Sequence, residues 1–183
     1  MEDEQRHYDP KEVTESKIHE INFPEGLSEK DIELIVAQCK HQGATSSEQV
    51  KGFAEAYKEA KETAFDSERL ESITAEEVRE LILRFGELTE NIKNKNGFRT
   101  VPARFKDFSF ALPPDLIERA ISNFSQAYAE GLLASEEYYL IFEEIHPMLD
   151  GNGRIGDLLW KIDVTRKTKH WPQELPPDVF GPK

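Results

Sequence analysis

Two turn-forming dipeptides stand in direct succession at Asp150-Gly151 and Asn152-Gly153. Between apolar runs, such pairs are the strongest short-range signal for a β-hairpin. The flanks point elsewhere. Tyr138, Ile141, Phe142 and Ile145 before the turn, and Ile155, Leu158, Leu159 and Ile162 after it, recur at three- and four-residue intervals, which gathers each set on one helix face. The pattern predicts helix, glycine-rich turn, helix, and commits this part of the chain to α structure.

The same period runs through most of the remaining sequence. Ser28 with Asp31 predicts an N-terminal cap ahead of Ile32, Ile35, Val36 and Cys39, and Gly43 ends that stripe. Ser46 with Gln49 forms a capping-box signature before Val50, Phe53, Ala54, Tyr57 and Ala60, and Thr74 with Glu77 forms another before Val78, Leu81, Ile82, Phe85 and Leu88. Pro113-Pro114 suits the first turn of a helix carrying Ile117, Ala120, Ile121 and Phe124 to about Gly131, and Ser135 is expected to cap the next helix. Between Asn94 and Pro114 the period breaks into scattered aromatics and Val101, which favour extended chain. A short β-hairpin flap over 97–108 is expected there, with Pro102 restricting it to an edge. The expected fold is therefore all-α, a helical bundle with a small flap. Residues 28–170 would form one domain, 1–27 an irregular lead-in, and 171–183 a proline-rich tail that packs Trp171.

Composition limits what such a bundle can meet. A chain of 183 residues suits one domain large enough to fold without disulfides. Its only cysteine, Cys39, excludes an internal disulfide and a cysteine-based zinc site, which fits a reducing, cytoplasmic setting. Neither a secretory leader nor a membrane-spanning run is legible, so no membrane partner is expected. The net charge of −13 opposes general nucleic-acid binding. That acidity sits in residues 1–90, which hold 23 acidic and 11 basic side chains. From Asn91 to Lys106 the chain has five basic residues and no acid, a segment that either meets a small anion or is simply a solvated loop.

Chemistry concentrates at the double turn. A Gly-Asn-Gly sequence entering a helix leaves backbone N–H groups unpartnered at the positive end of the helix dipole, an arrangement that binds phosphate oxygens. His146 and Asp150 flank the start of the turn. The first is a group that exchanges a proton near neutral pH, and the second is a hard oxygen ligand suited to Mg²⁺. Arg154 sits in the first turn of the second helix, where the dipole disfavours a cation, and a bound phosphate would account for it. Taken singly, each has a plainer role: His146 a structural histidine, Asp150 a helix cap.

The stretch His-Pro-Met-Leu-Asp-Gly-Asn-Gly-Arg, 146–154, closely resembles the signature of the Fic/Doc (fido) family, His-x-Phe-x-Asp/Glu-Gly-Asn-Gly-Arg-x-x-Arg. Gly97-Phe98-Arg99, the flap, the Pro-Pro helix start and the aromatic-rich helix ending in Ile-His-Pro extend the resemblance over about 74–165. It implies an all-α domain that transfers a nucleotidyl group, usually AMP from ATP, to a hydroxyl of a target protein. Carried over by position, His146 would be the general base and Asp150 the Mg²⁺ ligand. Gly151, Asn152 and Gly153 would cradle phosphate, with Asn152 orienting the α-phosphate and Arg154 contacting the β-phosphate. Phe98, Arg99, Thr100 and Val101 would lie on the flap that clamps the target by strand addition. ATP or another nucleotide would be the donor.

Two positions depart from the signature. Met148 replaces an inward-facing Phe, and a flexible apolar side chain can fill that volume. Asp157 stands where the family has its second Arg, which grips the γ-phosphate. At about 5 Å and an effective dielectric near 20, a charge pair is worth roughly 3 kcal/mol, so the exchange swings the balance by roughly 6 kcal/mol against ATP. Three outcomes are open: a donor that needs no terminal clamp, an Asp157–Arg154 ion pair, or Asp157 as a second metal ligand. Some family members carry an inhibitory Ser/Thr-x-x-x-Glu-Gly/Asn helix. Ser16–Glu20 and Ser67–Glu71 match it only partly, so self-inhibition of that kind is not expected. A Fic-fold module that binds without catalysing is the alternative to a transferase.

Overall fold

A computed structural model describes residues 20–177, among which seven α-helices and no sheet are found. α1 (Glu29–His41) opens on a complete capping box, the Ser28 side chain accepting from the Asp31 N–H and the Asp31 carboxylate from the Ser28 N–H. α2 (Ser47–Ala64) and α4 (Ala75–Thr89) begin the same way, through Ser46 with Gln49 and Thr74 with Glu77. Two orphan N–H groups are satisfied at each start, and helix entry is thereby set by the sequence itself. The five-residue α3 (Ser67–Glu71), capped by Asp66, has too short a pattern to be read beforehand.

After Pro113 a single 3-10 turn, Pro114–Leu116, leads into α5 (Ile117–Glu130), which ends on Gly131 in the left-handed conformation. α6 (Ser135–Ile145) is a correction in detail. Its N-cap is Ala134, and the Ser135 hydroxyl instead donates to the buried Asp163 carboxylate at 2.6 Å. α7 (Asn152–Thr168) follows the double turn.

α2 and α7 form the centre. α7 packs on α2, α4 and α6, while α1 and α4 lie against α2 and α5 bridges α4 and α6. Apolar stripes from these helices meet in one core that includes Ile35, Phe53, Phe85, Phe124, Phe142 and Leu158. Met148 is in it too, its side chain lying against Gly86, so a thioether does fill the inward position. Trp171 anchors the segment after α7 through an indole N–H donated to the Tyr57 hydroxyl at 2.9 Å. No described helix is long and apolar enough to cross a membrane.

The flap differs from expectation. No strand is present among the described residues, and pairing is confined to 103–111 rather than 97–108. There Arg104 and Phe110 form an isolated antiparallel bridge, supported by Phe105 N–H to Ser109 O and Ala111 N–H to Ala103 O, both at 2.9 Å.

Candidate functional site

The site begins where α6 stops. Proline at 147 disfavours the α conformation at the residue before it, so the helix ends there and His146 turns left-handed, at φ 50° and ψ 59°. A left-handed histidine is uncommon and costs energy, and such strain clusters at functional positions. Arg99 holds the geometry. Its guanidinium donates to the carbonyls of Ile145 (3.1 Å), His146 (2.5 Å), Val101 (2.9 Å) and Leu112 (2.6 Å), satisfying the last carbonyls of α6. Arg99 is buried, so its expected place among the target-clamping residues is corrected: it is a buried brace. The His146 ring lies edge-on to Phe105, centroids 5.2 Å apart, at the wall of a cleft of about 600 Å³.

The double turn forms another wall of this cleft. Gly151 adopts φ 84°, which a β-carbon would strain. Asn152 spends its side chain on the loop itself: Oδ1 accepts from the Met148 N–H and Nδ2 donates to the Met148 carbonyl, each at 2.9 Å. Its amide therefore braces the loop, with one Nδ2 hydrogen engaged by the Met148 carbonyl. No side chain caps α7, so the first-turn N–H groups stay orphaned.

Arg154 is 2% exposed. Its Nη2 donates to Glu90 Oε1 at 2.7 Å and lies 3.6 Å from Asp150 Oδ1, while its Nε and Nη1 are buried with no partner among the described residues. Glu90, itself buried, also accepts from Gln49 Nε2 at 2.8 Å. A buried donor left unmade costs about 1–3 kcal/mol. Two such donors on one guanidinium at the cleft, beside uncapped helix amides, are an arrangement that could hold an anion.

Asp150 stands at the mouth. Its Oδ1 accepts from the Gly151 N–H at 2.7 Å and its Oδ2 meets Lys93 Nζ at 2.5 Å. Asn94 sets this contact by donating to both the Asp150 and Gly86 carbonyls, at 2.8 and 3.0 Å, which docks the turn carrying Lys93 onto the motif loop. Burial pushes the Asp150 carboxyl up, but the Lys93 hydrogen bond and charge, Arg154 and the Gly151 N–H outweigh it and hold the group below the ordinary carboxylate range. A depressed carboxylate contributes stability above its unfolded pKa, lost as pH falls through the lower folded value. Lys93→Ala should therefore raise the Asp150 midpoint, followed by ¹³C NMR titration of its carboxyl carbon. An unmoved midpoint would contradict the assigned cause.

Among the described residues no group of three or more His, Cys, Asp or Glu side chains could hold a metal ion. Magnesium at phosphate sites takes one or two carboxylates and completes its shell with phosphates and water. Asp150 fits that role beside a phosphate, in exchange for its Lys93 contact.

Asp157 lies elsewhere. It is 1% exposed, does not line the cleft, and forms an ion pair with the fully buried Lys161 one turn along α7. Burial raises its carboxyl above the ordinary value, against the pull of Lys161. Two of the three expected outcomes are thereby corrected: Asp157 neither pairs with Arg154 nor stands beside Asp150 as a metal ligand. The full charge repulsion expected against a terminal phosphate is blunted for the same reason, since the carboxylate already faces an ammonium.

The sequence profile of the Fic/DOC family matches residues 27–161, from before α1 into α7. The chain belongs to the Fic/DOC family. No curated protein matches it.

The Fic domain thus begins well before residue 74, and α1 to α3 are part of it. α1 brings Gln38 and Gln42 against Gly153, residues that nothing in the sequence marked. Glu90 and Asn94 carry no sequence signal either, since their partners, Arg154 in α7 and Asp150 in the double turn, lie more than fifty positions away. Lys93 alone had a signal, the basic run, and Lys93 does sit at the cradle's mouth. Of the expected flap residues, Thr100 and Val101 are exposed, whereas Phe98 is half-buried with the Arg79 guanidinium 5.3 Å over its ring. Of the partial inhibitory matches, Ser67–Glu71 is α3, packed on α2, while Ser16 lies outside the described residues.

Proposed function

We propose that this Fic-fold protein transfers a nucleotidyl or related phosphate-linked group from a nucleotide to a Ser, Thr or Tyr hydroxyl of a target protein. The observation that carries the reading is Arg154, a buried guanidinium with two unpartnered donors at the uncapped start of α7, in the cleft that His146 also lines. The α7 amides and Arg154 would hold the donor's phosphates and stabilise charge that develops on them during transfer. His146 would accept the proton of the target hydroxyl as its oxygen bonds to phosphorus and the bond from phosphorus to the leaving phosphate oxygen breaks. Asp150 would hold Mg²⁺, which supplies charge neutralisation to the phosphates when bound. The exposed segment at Thr100 and Val101 would lie against the target.

With Asp157 turned inward and paired with Lys161, position 157 itself offers the cleft no cation where the signature has its second arginine. That supports a donor whose terminal phosphate needs no clamp, such as a diphosphate-linked nucleotide. A second reading, a nucleotide-binding module without transfer, draws support from the closed pairings Lys93–Asp150 and Arg154–Glu90. Incubation with a panel of nucleotides, Mg²⁺ and cell lysate, read by mass spectrometry, separates the two. The transferase should leave a mass adduct on a protein hydroxyl, and His146→Ala should reduce its rate by about 10²- to 10⁴-fold. Nucleotide binding without any adduct would leave the module reading standing.

A further inference from the structure

Gln42 closes α1 as its C-cap, and its side chain lies over Gly153. A β-carbon at Gly153 would come within 2.6 Å of both amide heteroatoms of Gln42, so the glycine is what admits that side chain. Gln38, one turn earlier, directs its Nε2 at the Gly153 carbonyl at a long 3.5 Å, which keeps this face of α1 on the start of α7. Gln42 lines the same cleft as His146 and Arg154, and its Nε2 is buried with no partner among the described residues. Three unpartnered donors therefore share this cleft: Arg154 Nε, Arg154 Nη1 and Gln42 Nε2. Each carries a desolvation cost that a bound acceptor would remove.

We propose that Gln42 is a phosphate ligand of this cleft, its side-chain amide donating to an oxygen of the bound nucleotide's phosphates beside Arg154 and the α7 amides. This rests on the nucleotide reading above and adds a ligand from outside the signature. A neutral amide fits an oxygen already partly neutralised by Arg154. A carboxylate at 42 would reverse the interaction.

Calorimetric titration of the full chain with ADP, and separately with pyrophosphate, tests it. Gln42→Met keeps the volume over Gly153 and removes the donor, whereas Gln42→Ala removes both. Both variants should bind about tenfold more weakly, as expected for one lost hydrogen bond to a charged group, with thermal midpoints near that of the parent. Gln42→Glu should lose on the order of a hundredfold or more. Unchanged binding in Gln42→Met, or tighter binding in Gln42→Ala, would show Gln42 to be filler or an obstruction and overturn the proposal. If the parent binds and Arg154→Gln does not, while both Gln42 variants match the parent, only this inference fails. Absence of ADP and pyrophosphate binding by the parent at millimolar concentration sinks both it and the nucleotide reading.

Discussion

Arg154→Ala is expected to abolish nucleotide binding and, in the same step, to lower stability by about 3–5 kcal/mol, the cost of removing one partner from a buried ion pair. Glu90 is the reason for the second effect. It is 7% exposed and lies 2.7 Å from the guanidinium, so truncation strands a carboxylate away from water with the Gln49 amide as its remaining donor among the described residues. For a domain of this size that should appear as a fall of roughly 10 °C in thermal midpoint. The two effects separate in a double variant. Arg154→Ala with Glu90→Gln no longer carries the stranded charge, so it should regain much of the midpoint while remaining unable to bind ADP. Recovery of binding along with stability would mean that Arg154 serves the fold and not the ligand. A midpoint unaffected by Arg154→Ala would contradict the buried pairing itself.

The helices most legible in the sequence are those whose start is written locally. Ser28 with Asp31, Ser46 with Gln49 and Thr74 with Glu77 each satisfy two orphan amides within four residues, so no distant contact is needed to place α1, α2 or α4. The double turn was legible for a similar reason: its glycines and flanking stripes are all local. Arg99 was not. In sequence it is one more cation of a basic run, and only the folded chain brings four carbonyls to it. Glu90 and Gln42 lie in ordinary polar stretches of α4 and α1, and their roles exist only where those helix ends converge on the start of α7. The place of Asp157 is not legible in the sequence because α7 has almost no solvated face. Arg154, Asp157, Lys161 and Asp163 are all buried along it, so a charge there says nothing about which side of the helix is wet. An Asp followed four residues later by Lys is ordinarily a surface pattern. Here the same spacing is sealed inside the bundle.

That burial reverses what the motif alone would predict for Asp157→Arg. Restoring the family's second arginine looks like the way to strengthen ATP binding, by replacing repulsion with attraction. In the folded chain the new guanidinium would stand one turn from Lys161, which is fully buried, with no carboxylate between them. Removing the acid strands the ammonium, at about 3–5 kcal/mol, and a second buried cation adds repulsion to that. The expected result is loss of cooperative folding, or a midpoint lowered by more than roughly 10 °C, before any effect on nucleotide is measurable. Asp157→Asn should show the smaller part of this cost, and Asp157→Leu with Lys161→Met should recover it, because apolar residues of similar volume commonly replace a buried ion pair without loss. ADP binding by that double variant decides whether the pair has any part in the site. Affinity equal to the parent's assigns Asp157 and Lys161 to the interior of α7 alone. Weakened affinity in a fully folded double variant would show that their charges reach the cleft through the helix. A stable Asp157→Arg protein with tighter ATP binding would mean that position 157 can turn toward the phosphates, contrary to its placement here.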